Sequence, residues 1–201
     1  MLLPAASRFF FLRHGETDYN RRGIRCGGEV DIPLTERGLA QAGEAAVLLR
    51  QSGFPLAWVA ASPLQRVQQT ARIVAAPWGL PVETCPGLGE RRLGAWNGQP
   101  VADTEAALRA GETPPGGESA AAFRERILAW LALWQPRFRE PGLIVASKGV
   151  GRVLGETLGG QHVPVQNCEL MLFEAGADGS CSITTPWGCT PAVLERPLFP
   201  A

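Results

Sequence analysis

With 201 residues, 45% apolar and 19% charged, the chain has the size and make-up of one packed domain, and disorder is excluded. Its 19 basic residues balance 19 acidic ones, so nothing in the charge points to nucleic acid or a membrane surface as partner. No run reaches the roughly 18 apolar residues of a membrane span. The five cysteines have no CxxC pair, which suits a reducing cytoplasm and offers no zinc site.

The elements alternate between short apolar runs and longer amphipathic stretches, which predicts an α/β fold. Residues 8–12 (RFFFL) read as a buried strand. A polar, Gly-rich loop follows, then a helix capped by Thr35, with Leu34 and Leu39 as a staple and Leu39, Ala42, Ala46 and Leu49 as its apolar face. Residues 57–61 form a second strand. Ser62 and Pro63 are expected to cap and start a second helix, reaching about residue 76. A short strand is expected at 82–84 and a short helix at 101–110. Ser119 caps a long helix whose face is Phe123, Ile127, Trp130, Leu131 and Trp134, with Pro136 kinking or ending it. Residues 142–147 (GLIVAS) give a third buried strand and 149–158 a helix. Candidate strands at 169–175 and 181–185 close a single domain over 1–201.

Ligands of open α/β sheets bind beyond the carboxyl ends of the strands. Three such ends here deliver donors or cations: Arg13-His14-Gly15, Ser62-Pro63 with Arg66 one turn on, and Ser147-Lys148-Gly149 at a helix mouth. Helix N-termini add N–H groups and partial positive charge, so together these describe an anion site, most naturally for a phosphoryl group. Among the 19 basic residues Lys148 is the sole lysine. Arg8, Arg21, Arg22 and Arg25 read as solvated or loosely paired, and His162 as an exposed loop residue.

The run Arg13-His14-Gly15-Glu16-Thr17, with Asn20 and the Asp31–Thr35 stretch after it, resembles the histidine phosphatase superfamily in its phosphoglycerate-mutase-like branch. Further matches are Ser62 to Arg66 ending in Gln69-Thr70-Ala71, Leu88-Gly89-Glu90 with Gly94, Trp96 and Gly98, and Pro115 to Ser119. The resemblance covers nearly the whole chain. It implies a three-layer α/β/α sandwich with a mostly parallel central sheet, acting on a small phosphorylated substrate with neither metal nor organic cofactor.

Carried over residue by residue, the resemblance makes His14 a nucleophile that forms a phosphohistidine, and Glu90 the general acid and base. Arg13, Asn20, Arg66, Lys148 and Gly149 would bind the phosphoryl oxygens. Glu118 is the rival carboxylate, in a setting that suits a cap or structural role. The main departure is Lys148, where the family places a second histidine. Asn97 in the usual Trp-Glu-Gly and Gly27 in place of a polar residue are smaller ones. A phosphomonoester hydrolase is the resulting expectation. The alternatives are a weakened phospho-ligand-binding or regulatory homologue, or a phosphoglycerate-type mutase.

Overall fold

The computed structural model describes residues 2–162 and 164–186. Its strands are β1 (Arg8–Arg13), β2 (Trp58–Ala61), β3 (Val82–Thr84), β4 (Gly142–Ala146), β5 (Leu170–Ala175) and β6 (Cys181–Thr184). They form one sheet in the order β3-β2-β4-β1-β5-β6. The first four are mutually parallel, with Phe11 of β1 opposite Ile144 of β4. β5 returns antiparallel against β1 and β6 against β5. The helices are α1 (Asp18–Arg21), α2 (Glu36–Gln51), α3 (Gln65–Ala75), α4 (Val101–Arg109), α5 (Ala120–Trp134) and α6 (Lys148–Leu158). No helix among the described residues is long and apolar enough to cross a membrane.

Strand periodicity sorts the core into two layers. Phe9 and Phe11 of β1, with Ile144 and Ala146 of β4, pack against Phe123, Ile127 and Leu131 of α5 and Val150 and Leu154 of α6. Phe10 and Leu12, with Leu143 and Val145, face Ala46 and Leu49 of α2 and Val67, Ala71 and Val74 of α3. Each phenylalanine so enclosed contributes about 1.5–3 kcal/mol. The helix after β1 therefore lies on one face and the helix after β4 on the other. Neighbouring strands whose chains leave to opposite faces open a crevice at their carboxyl ends.

Thr35 caps α2 through a 3.0 Å bond from the Gly38 N–H. Leu39 stands 41% exposed, so the buried face is Gly38, Ala42, Ala45, Ala46 and Leu49 and Leu39 closes no staple. Ser62 does not cap the next helix. That helix starts at Gln65, whose N–H is taken by Asp31 Oδ1 at 2.6 Å from a loop distant in sequence. Ser119 caps α5, and Pro136, which has no N–H to continue the ladder, follows its end at Trp134 in a tightened 3₁₀ turn, Gln135–Arg139.

Candidate active site

The crevice between the ends of β1 and β4 is a cleft of about 740 Å³. Arg13 and His14 leave β1 into it, and Ser147, Lys148 and Gly149 enter it from β4 and the first turn of α6. The backbone N–H of His14 donates to Ala146 O at 3.0 Å, which ties the two strand ends together. The 14–15 turn is pinned from α3 as well, because the Gly15 N–H donates to Thr70 Oγ1 at 3.1 Å.

His14 is 4% exposed. Its Nδ1 lies 2.8 Å from Gly15 O, a carbonyl that can only accept, so Nδ1 carries the proton and Nε2 keeps its lone pair. Burial first, then the Arg66 and Arg13 charges, hold the imidazole well below its usual range and therefore neutral.

Arg13 donates from Nη1 to Val165 O at 3.0 Å, while its buried Nε has no partner among the described residues. Arg66 stands beside His14 but outside the cleft lining. Its Nη1 and Nη2 go to Val30 O at 2.7 Å and Gly27 O at 3.4 Å, and its buried Nε is also unpartnered among the described residues. Asn20 Oδ1 accepts from Thr17 N, Thr17 Oγ1 and Asn167 Nδ2 at 3.1–3.2 Å. The amide is thereby oriented with Nδ2 as the end that has no partner among the described residues. Asn167 also donates to His14 O at 2.9 Å, and no pattern in the sequence singled it out.

Glu90 is docked on backbone donors. Oε1 accepts from the Arg91 N–H at 2.7 Å, and Oε2 from the Gly149 N–H at 2.9 Å, in the first turn of α6. An anion belongs at that position by virtue of the exposed N–H groups and the helix dipole. The Gly149 N–H thus serves Glu90. Lys148 is exposed at the cleft mouth and makes no ion pair among the described residues. Crowding by the cleft walls, then the Arg13 charge, lower its ammonium below the ordinary lysine value. Ser147 Oγ is buried and unpartnered among the described residues.

Glu118 lies away from the cleft, bound to Arg126 at 2.9 Å and accepting from the Arg92 N–H at 3.3 Å, a structural role. Arg25 is held more firmly than the solvated or loosely paired residue expected. Its Nε donates to Thr104 Oγ1 at 2.8 Å and its guanidinium pairs with Glu105, which places it in the cleft wall. His162 is exposed, as expected, but on the rim of the cleft. Among the described residues no three His, Cys, Asp or Glu side chains gather into a metal site.

Comparison with known proteins agrees with this arrangement. The sequence model of the histidine phosphatase superfamily (branch 1) matches residues 9–184. A Yersinia pestis protein named "probable phosphoglycerate mutase GpmB" is 32% identical over 183 residues, covering 80% of this chain and 81% of that one. The adenosylcobalamin/alpha-ribazole phosphatase of Escherichia coli K12 is 42% identical over 89 residues, a match spanning 44% of this chain and only 42% of that protein. Among solved structures, the alpha-ribazole phosphatase of Shigella flexneri superposes with a TM-score of 0.75 at 28% identity, covering 89% of this chain and 95% of that one. A mycobacterial glucosyl-3-phosphoglycerate phosphatase bound to VO3 gives 0.74 at 29%, covering 90% and 98%. A match across 9–184, on a sheet that brings the Arg-His-Gly turn to the crevice, makes this chain a member of the histidine phosphatase superfamily.

Proposed function

We propose that the protein hydrolyses phosphomonoesters through a phosphohistidine on His14. The observation that carries this reading is the bond from Nδ1 to Gly15 O, which leaves Nε2 as the nucleophilic nitrogen of a neutral ring. Nε2 attacks phosphorus as the ester P–O bond breaks, and Glu90 gives its proton to the departing oxygen. Glu90 then takes a proton from water, whose oxygen displaces His14 and releases inorganic phosphate.

Arg13, Asn20 Nδ2 and Lys148 hold the phosphoryl oxygens from the cleft wall, while Arg66, buried behind the lining with its Nη groups on Val30 O and Gly27 O, adds its positive charge beside His14. A phosphoryl group arriving at α6 competes with Glu90 for the Gly149 N–H and so frees Oε2 to carry the proton. On this reading every phosphoryl donor is a side chain of this chain, and no step is routed through a metal. The phosphatases among the solved relatives support hydrolysis as the outcome.

Rapid-quench labelling with a ³²P-phosphomonoester tests the mechanism. An acid-labile, base-stable adduct on His14 is expected, together with loss of turnover in His14→Ala. Label on another residue, or undiminished turnover in the variant, refutes it.

A further inference from the structure

The turn that carries His14 is gripped by a segment far along the chain. Three hydrogen bonds join residues 165–168 to Arg13 and His14. Arg13 Nη1 donates to Val165 O at 3.0 Å, the Cys168 N–H donates to Arg13 O at 3.0 Å, and Asn167 Nδ2 donates to His14 O at 2.9 Å. The gripping segment is itself a closed turn. The Glu169 N–H donates to Gln166 O at 3.3 Å, and the Gln166 N–H donates to Glu169 Oε2 at 2.7 Å. Cys168 holds φ at 55°, a left-handed conformation that a residue with a Cβ keeps only where its surroundings enforce it. Asn167, beside it in this turn, stands in the wall of the cleft.

Hydrogen-bond logic fixes the orientation of two amides. The Thr17 N–H can only donate, so the Asn20 atom facing it is Oδ1. Asn167 faces that oxygen and the His14 carbonyl, both acceptors, so its own atom there is Nδ2. One NH2 group thus bridges His14 O, at 2.9 Å, and Asn20 Oδ1, at 3.2 Å. Thr17 caps the short helix α1 three residues before Asn20, so its bonds decide which end of the Asn20 amide points at the cleft. They cannot set how far α1 stands from His14. Asn167, bonded to both, can.

We propose that Asn167 is a positioning residue of the phosphoryl site, holding the Asn20 donor in register with the nucleophile. The inference rests on the reading of Asn20 Nδ2 as a phosphoryl ligand. Without the bridge, the backbone around His14 stays tied by its own N–H to Ala146 O and by the Gly15 N–H to Thr70 Oγ1. The Asn20 side chain would keep only Thr17, within its own turn. The loss therefore falls on the aim of a donor. A donor that acts in the transition state is worth about 10²–10³-fold in rate, and misaiming it forfeits about tenfold of that.

A double-mutant cycle on the whole chain tests this. Asn20→Asp keeps the acceptor that Thr17 and Asn167 bind, and removes the donor. With para-nitrophenyl phosphate, Asn167→Ala is expected to lower kcat about tenfold in the wild-type background, and no more than about twofold in Asn20→Asp, where no donor is left to aim. The same loss in both backgrounds marks a structural contact and overturns the proposal, as does wild-type kcat in Asn167→Ala. Asn167→Leu, close in shape and lacking donors, repeats the comparison, so that a folding defect peculiar to alanine in the turn is not mistaken for the effect. Titration calorimetry with inorganic phosphate reads the same cycle without turnover and is expected to show the same coupling. Coupling in phosphate binding, with no ester hydrolysed by the wild type, leaves the positioning role standing and refutes the hydrolase reading. Hydrolysis without coupling overturns the positioning role alone.

Discussion

Gly149→Ala separates the catalytic placement of Glu90 from its contribution to stability. A Cβ at position 149 would lie 2.2 Å from Glu90 Oε1, 3.0 Å from Cδ and 3.1 Å from Oε2. Ordinary contact begins near 3.4 Å, so the carboxylate must retreat by about 1.2 Å, and as the end of a flexible side chain it can. Losing the Gly149 N–H bond costs about 1 kcal/mol, while alanine in place of glycine in a helix returns up to about 1 kcal/mol. The melting temperature should therefore move by only a few degrees. A general acid displaced by about 1 Å loses about 10²-fold in rate, inside the 10²–10⁴ that acid–base catalysis supplies. That loss should fall on an alkyl phosphate, whose leaving oxygen needs the proton, and largely spare para-nitrophenyl phosphate. Saturating kinetics on both esters, with the inhibition constant of inorganic phosphate alongside, reads this out. An unchanged constant assigns the loss to Glu90 rather than to phosphate binding through the Gly149 N–H. Wild-type kcat on the alkyl ester, or an equal loss on both, refutes the reasoning.

Lys148→Ala should weaken vanadate binding by about 1.5 kcal/mol, the low end for a charged hydrogen bond because the residue is exposed, and Lys148→His should keep or raise activity. Vanadate binding to Lys148→Ala as tight as wild type shows the lysine is no ligand. In ¹H–¹³C spectra the His14 ring signal, assigned by its absence from His14→Ala, should not titrate near pH 6.5. Because the folded value is depressed, the unfolded chain takes up that proton first. Stability then falls as pH drops below about 6.5, by at most about 1.4 kcal/mol per pH unit, and His14→Gln removes that slope. Turnover of para-nitrophenyl phosphate should persist in EDTA, and a loss restored by a divalent ion overturns the metal-free reading.

The strands were legible because each carries its own signal. RFFFL and GLIVAS are continuous apolar runs, as strands covered on both faces must be. The Arg-His-Gly turn and the 147–149 turn were legible as strand ends. What escaped was supplied by contacts across the chain. Ser62 looked like a cap because it precedes a proline, but Asp31, 34 residues away from Gln65, provides the acceptor. Arg25 looked like any surface arginine until α4 brought Thr104 and Glu105 to it. Asn167 touches His14 and Asn20 across about 150 residues and sits in no periodic pattern. Leu39 failed for a local reason. The tight approach of Gly38 to the Glu16 backbone turns that edge of α2 inward and leaves its neighbour in solvent.

The two smaller departures from the family pattern meet in space and bear on Arg66. The Gly27 N–H donates to Asn97 Oδ1 at 2.7 Å, and Asn97 Nδ2 donates to Glu29 Oε2 at 3.1 Å. Glu29 in turn accepts from the N–H groups of Leu93 and Gly94 at 3.0 and 2.9 Å. A Cβ at 27 would stand 2.8 Å from Glu29 Oε2 and 2.9 Å from both Asn97 Oδ1 and Leu93 N. A side chain at 27 and the present amide at 97 therefore compete for one space, which makes the departures a coupled pair. The segment they fix offers the carbonyls of Gly27 and Val30 to Arg66 and the carboxylate of Asp31 to the start of α3. The same loop thus sets both the helix that carries Arg66 and the direction of its guanidinium. Restoring a polar residue at 27 while Asn97 remains would disturb the aim of Arg66 before it added any donor to the phosphoryl site.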